Sequence, residues 1–179
     1  INSDSMKIKW FINLNQSLDR TPANLFESSQ IINHKNKIIV SSKEFLYVID
    51  DRNGSITFKK NFSSNIKPIA IGNYLFIITK NSFLISMDLE SGKLIYSYDL
   101  NLKISDFLGI KKKTANFKNF AIANNYFYIF LNNSFYLQTS IDGELIEIDK
   151  LPFKIYNDPI FINGSILFLD KKNKLSVLN

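Results

Sequence analysis

One spacing constrains this chain more than any other property. An Asp is followed four residues later by a Gly at Asp50 and Gly54, and again at Asp88 and Gly92, and Gly92 lies 38 residues after Gly54. Set under one another, residues 37–58 and 74–96 run in the same order: a strand-like run, a polar turn, a second strand, the Asp, three residues, the Gly and a third strand. A unit of this size that recurs in series stacks on its neighbours, because no single copy buries its own apolar faces.

A third copy occupies residues 126–147, with Gly143 at the glycine position and Thr139 replacing the Asp. Its step is longer, 51 residues from Gly92, and the excess falls in residues 102–116, which reads as an insertion between units. A fourth copy starts at Tyr156 and supplies three strands. Ahead of each copy runs a further, innermost strand: residues 66–71, 117–123, 156–162 and, less distinctly, 29–33. The runs are rich in Ile, Phe, Tyr and Val, and turn pairs such as Asn53-Gly54, Gly72-Asn73, Asn124-Asn125 and Asn163-Gly164 separate them.

The expected fold is therefore all-β: one domain, residues 1–179, forming a small or partial β-propeller of about four four-stranded blades. The blades are residues 29–62, 65–101, 115–151 and 155–179, the last completed by residues 6–14. Residues 6–15 align with 92–101, placing Trp10 on Tyr96 and Leu14 on Leu100. The chain thus opens with an outermost strand, expected to pair with residues 174–178. That pairing gives a monomer if closed within one chain and a strand-exchanged dimer if closed between two. A chain cut from a longer propeller is the other account of the same phase.

Composition narrows the function. There is no Cys, which removes disulfides, thiolate metal sites and a Cys nucleophile. The net charge is +6, yet only Arg20 and Arg52 of the 22 basic residues are arginine, the residue suited to planar phosphate and base recognition. Nucleic acid is not the expected partner. No run approaches the roughly 18 apolar residues of a membrane-spanning helix.

The stretch Ser86-Met87-Asp88-Leu89-Glu90-Ser91-Gly92-Lys93-Leu94-Ile95-Tyr96 resembles the repeat of the pyrroloquinoline-quinone (PQQ) propeller superfamily. The family often ends this repeat in Trp; only Trp10 keeps it, Phe58 and Tyr96 replace it, and Glu147 breaks the pattern. The resemblance implies one of two branches. Quinoprotein dehydrogenases bind PQQ and calcium on the axis, using a disulfide of adjacent cysteines, a Trp floor and a catalytic Asp. The BamB-like branch is a non-catalytic periplasmic scaffold of outer-membrane protein assembly. A chain without Cys, whose one Trp sits in the repeat position, fits the second. Taken from this resemblance, the expectation is a protein-binding scaffold, not an enzyme, with no cofactor and a location at the periplasmic side of the outer membrane. A PQQ-dependent dehydrogenase or fragment, and a polysaccharide- or nucleic-acid-binding propeller, are the alternatives.

Candidate sites are few. His34 is the only histidine and falls at a hairpin turn, so it offers neither a triad nor a multi-His metal site. Asp50, Asp51, Asp88, Glu90, Asp142 and Glu144 recur once per unit at turns, the signature of a structural role. Lys111, Lys112 and Lys113 with Phe107 form the one basic-aromatic cluster. The connection containing Arg20, Leu25 and Phe26 is the other long loop. These two segments are the candidate partner-binding loops, because a propeller's loops carry much of its function.

Overall fold

Alternating apolar residues broken by two-residue turns make hairpins, and here they make nothing larger than a four-strand meander before the next unit begins. The computed structural model describes residues 7–14, 30–42, 44–155, 157–170 and 172–178. Its first sheet runs β1 (Ile32–His34), β2 (Lys37–Ser41), β3 (Leu46–Asp50), β4 (Ile56–Lys60). The second is β5 (Ile69–Ile71), β6 (Tyr74–Ile78), β7 (Phe83–Asp88), β8 (Leu94–Asp99). A helix, α1 (Leu100–Leu108), leads to the third: β9 (Phe117–Ala123), β10 (Tyr126–Leu131), β11 (Phe135–Ser140), β12 (Leu145–Lys150). The fourth has three strands, β13 (Ile160–Ile162), β14 (Ser165–Leu169) and β15 (Leu175–Leu178). All neighbours pair antiparallel in sequence order, the blade arrangement expected.

The inner hairpins turn through left-handed residues. Asn124 and Asn125 have φ of 49° and 63°, and Asn163 and Gly164 of 49° and 83°. Two positive φ values in succession give the turn whose twist matches a hairpin, and Asn and Gly tolerate them best.

Register shows how the sheets stack. Ile32, Ile39, Val48 and Phe58 lie side by side across the first sheet. Ile69, Phe76, Ser86 and Tyr96 hold the same places in the second. Between these sheets Ile39, Leu46 and Val48 pack with Leu75, Ile77, Met87 and Leu89, all buried. Phe76, Ile78 and Leu84 pack in turn with Phe120, Phe127, Ile129 and Leu137 of the third sheet. Each such side chain taken from water contributes roughly 1.5–3 kcal/mol. The third sheet differs on its next face, where Ala121, Tyr128, Gln138 and Glu147 occupy those places. There the buried apolar contact shrinks to Phe130, Leu151, Ile155 and Phe168.

Four details depart from the sequence reading. The Asp position of the third unit is held by Ser140, not Thr139: Gly143 N–H donates to Ser140 O, as Gly54 N–H donates to Asp50 O, and this turn is one residue shorter. Thr139 instead points into the apolar layer where the second sheet has Met87. The inner strands of the first, second and fourth units are only three residues long. The insertion is not loop throughout, since its first seven residues, 102–108, belong to α1, which starts at Leu100.

The fourth departure concerns the N-terminal segment. Within the chain, residues 7–14 do not pair with β15; they lie in no sheet and cover the outer face of the first one. Trp10, Ile12 and Leu14 pack on Val40, Tyr47 and Ile49. Trp10 Nε1–H donates to Asp51 O at 2.9 Å, and the Tyr47 hydroxyl donates to Leu14 O at 3.1 Å. The apolar alternation that the sequence assigned to closing the fourth blade is satisfied against the first.

Candidate functional site

The insertion is the largest break in the repeat, and it is held by polar groups. Asp99 ends β8 and caps α1, accepting from Leu102 N–H at 3.1 Å. The helix stops at Gly109, left-handed at φ 62°, with Ile110 N–H donating to Ser105 O at 3.0 Å, a cap that only Gly adopts without strain. The buried Asn101 side chain accepts from Ala115 N–H at 2.8 Å, and Lys112 Nζ meets Asp99 Oδ2 at 2.5 Å. The Lys112 ammonium holds the Asp99 carboxyl below the usual carboxylate range. Both ends of the insertion are thereby tied to its base, and Leu100, 1% exposed, plugs it into the core.

What projects is apolar and basic. Phe107, Leu108 and Ile110 are each about half exposed, at 49%, 48% and 47%, and Leu102 is similar. Lys111 and Lys113 follow, exposed, while Lys103 stands 4.1 Å above the Tyr98 ring. Phe107, Lys111, Lys112 and Lys113 are each exposed on the insertion, with Lys112 tied back to Asp99. The sequence reading missed Leu102, Leu108 and Ile110. Their signal was the spacing of Leu100, Ile104 and Leu108 between a capping Asp and a terminal Gly. Arg20, Leu25 and Phe26 lie outside the described residues.

The acidic turn residues are engaged locally. The Arg52 guanidinium grips Asp50 and holds it far below the ordinary carboxylate range. Asp88 is lowered by Ser91, whose N–H and hydroxyl both donate to it. His34 ends β1 and is half-buried there, where an exposed turn residue was expected; its Nε2 lies 2.8 Å from Gly72 O on the next sheet, so it bridges two blades. A cavity of about 350 Å³ beside the inner strands takes Gln30, Lys67, Asn119 and Asp158 from the four successive units. Another, of about 360 Å³, lies between the third and fourth sheets, where Tyr128, Tyr136, Glu147 and Phe161 line it. Burial, with Glu147 nearby, raises both tyrosines. Among the described residues, no three His, Asp or Glu side chains converge as metal ligands.

No family model and no curated protein matches the chain. Solved structures do. The fold is that of a partial β-propeller. BamB from Moraxella catarrhalis superposes with a TM-score of 0.65 at 12% identity, over 83% of this chain and 43% of that one. The computationally designed Ika8 protein gives 0.61 at 11%, over 84% and 45%. The quinohemoprotein alcohol dehydrogenase ADHIIG from Pseudomonas putida HK5 gives 0.59 at 13%, over 83% and 32%. The chain thus spans less than half the length of each. No helix among the described residues is long and apolar enough to cross a membrane.

Proposed function

We propose that the chain is a non-catalytic, protein-binding scaffold of the quinoprotein-repeat type, serving outer-membrane protein assembly in the periplasm. One observation carries the binding role. The insertion is anchored by Asp99, Asn101, Gly109 and Lys112, while Phe107, Leu108 and Ile110 face solvent beside Lys111 and Lys113. Half-exposed apolar side chains followed in the chain by exposed lysines suit a partner with an apolar and acidic face. The assembly role and the compartment rest on the resemblance to the BamB-like branch. The repeat acids support the non-catalytic side of the reading, since they are used as turn acceptors.

The partner implied by that branch is the periplasmic repeat region of the barrel-assembly protein. Titration calorimetry with that purified region tests the proposal. Binding is expected, with affinity reduced tenfold or more in Phe107→Ser/Leu108→Ser, and a steeper loss with salt for the parent than for Lys111→Glu/Lys113→Glu. Absence of binding, or indifference to all four substitutions, removes the assignment. Added PQQ and Ca²⁺ are expected to leave no bound chromophore after gel filtration.

A further inference from the structure

The layer between neighbouring sheets changes its chemistry at one joint. Ile39, Leu46 and Val48 fill the first joint, and Phe76 and Leu84 fill the second, all buried. In the third sheet the matching row is Tyr128, Gln138 and Glu147, side by side across β10, β11 and β12. One row on, Tyr136 pairs with Asp149, where the first two sheets place the fully buried Leu46 and Leu84. The joint with the fourth sheet is therefore not sealed at these positions, and it holds the cavity of about 360 Å³. Polar groups put where a repeat elsewhere buries aliphatic ones weaken packing, so the fold alone gives no reason for them.

The cavity has an aromatic wall and an acidic rim. The Tyr128 ring lies 4.9 Å from Phe161 of the fourth sheet and 6.2 Å from Tyr136, centre to centre. Glu147 and Asp149 both bear on the Tyr136 hydroxyl, and Glu147 on that of Tyr128 as well. Asp149 accepts from Lys150 N–H at 2.7 Å, and among the described residues neither carboxylate has a cationic partner. Lys150 borders the cavity, but side chains alternate along β12 and its ammonium stands 5.9 Å from the Phe135 ring, on the opposite face from Asp149. Elsewhere this chain seats its lysines on its rings: Lys59 lies 3.5 Å from the centre of Phe45 and Lys103 4.1 Å from that of Tyr98. Among the described residues Tyr128, Tyr136 and Phe161 carry no such cation.

We propose that this cavity binds a small organic cation, a free solute with an alkylammonium head that rests on Tyr128, Tyr136 and Phe161 and is neutralised by Glu147 and Asp149. Ring faces attract a cation through their quadrupole, most strongly where it is partly desolvated, and two uncompensated carboxylates add the charge term. A neutral sugar would stack on the same rings but leave both like charges unanswered. A bare metal ion would lack ligands, since among the described residues no three acidic or His side chains converge. The site lies between sheets, at residues of the third and fourth units only, and does not depend on the partner proposed above.

Choline is the probe, with 3,3-dimethyl-1-butanol as its uncharged shape-mate and glucose as the neutral sugar. Titration of the isotope-labelled chain is expected to move the backbone amides of Gln138 and Gly164 with choline, at a Kd of about 1 mM or tighter, and with neither neutral compound. Glu147→Gln, at an exposed position, is expected to weaken choline about tenfold, and Tyr128→Leu by a similar factor, whereas Tyr128→Phe stays within about twofold. Equal binding of the uncharged compound, binding of glucose alone, or no shift with choline overturns the proposal. So does choline binding that ignores Glu147→Gln, or capture of phosphatidylcholine vesicles without binding of free choline, which would assign the site to a lipid head group. Tyr128→Phe keeps the ring and its packing, so the comparison stands even if Tyr128→Leu does not fold.

Discussion

Trp10 lies flat against Gly54, so closely that a β-carbon placed on that glycine would stand 2.6 Å from the indole. The glycine also has φ of 75°, a conformation that L side chains rarely adopt. Two separate constraints thus fall on one atom, and neither is relieved by moving a flexible chain end. Gly54→Ala is expected to destabilise by about 2 kcal/mol or more. The single Trp makes the displacement visible as red-shifted emission in the folded variant.

Thr139 is fully buried, and its hydroxyl finds no hydrogen-bond partner. It sits where the second unit has Met87, in an apolar layer. Thr139→Val keeps the shape and removes the unsatisfied group. A gain of about 1 kcal/mol is expected in urea denaturation, with the slope unchanged. A loss of stability would show that the hydroxyl is used.

The insertion separates fold from display. Leu100 is buried at its root and Phe107 is exposed at its tip. Leu100→Ala should cost about 3 kcal/mol, whereas Phe107→Ser should stay within about 0.5 kcal/mol of the parent. Thermal melts of the two variants check this, and a large loss in the second would mean that the tip is packed.

Asp99 gives the insertion a pH dependence of known sign. Its carboxyl is held below the ordinary value by Lys112, so the stabilisation is present above the unfolded value near 3.8 and is lost as pH falls through the lower, folded one. Asp99→Asn retains a capping side chain but loses the ion pair. Its melting temperature should lie below the parent's at pH 7, and the gap should close as pH drops below 3.8.

The blades were legible because their signals are local. Asn124-Asn125 and Asn163-Gly164 announce their turns, and the spacing of Asp50, Gly54, Asp88 and Gly92 announces the repeat. Where the reading slipped, two local patterns competed or the decision was made at a distance. The residues after Asp99 continue a strand alignment and also start a helix, and burial of Leu100 and Asn101 decided for the helix. Thr139 and Ser140 differ by one place, which a shorter turn settles and an alignment of letters does not. The N-terminal segment was recognised as an outermost strand, but which sheet it touches depends on where the first and fourth sheets stand, and no local pattern encodes that. In the candidate site Phe107 and the lysines were found by composition; Leu108 and Ile110 needed the helix to be placed first.

The polar face of the third sheet has a mechanical consequence. Tyr128, Gln138 and Glu147 stand where the first two sheets present Ile39, Val48, Phe58 and Phe76, and far less apolar area is sealed behind them. In a stack held by nearest-neighbour contacts, the joint with the least sealed area opens first. Amide protons of β13–β15 should then exchange through a partial opening that leaves β2–β11 protected. The molecule would come apart as a zip does, from one end, with its first tooth at Glu147.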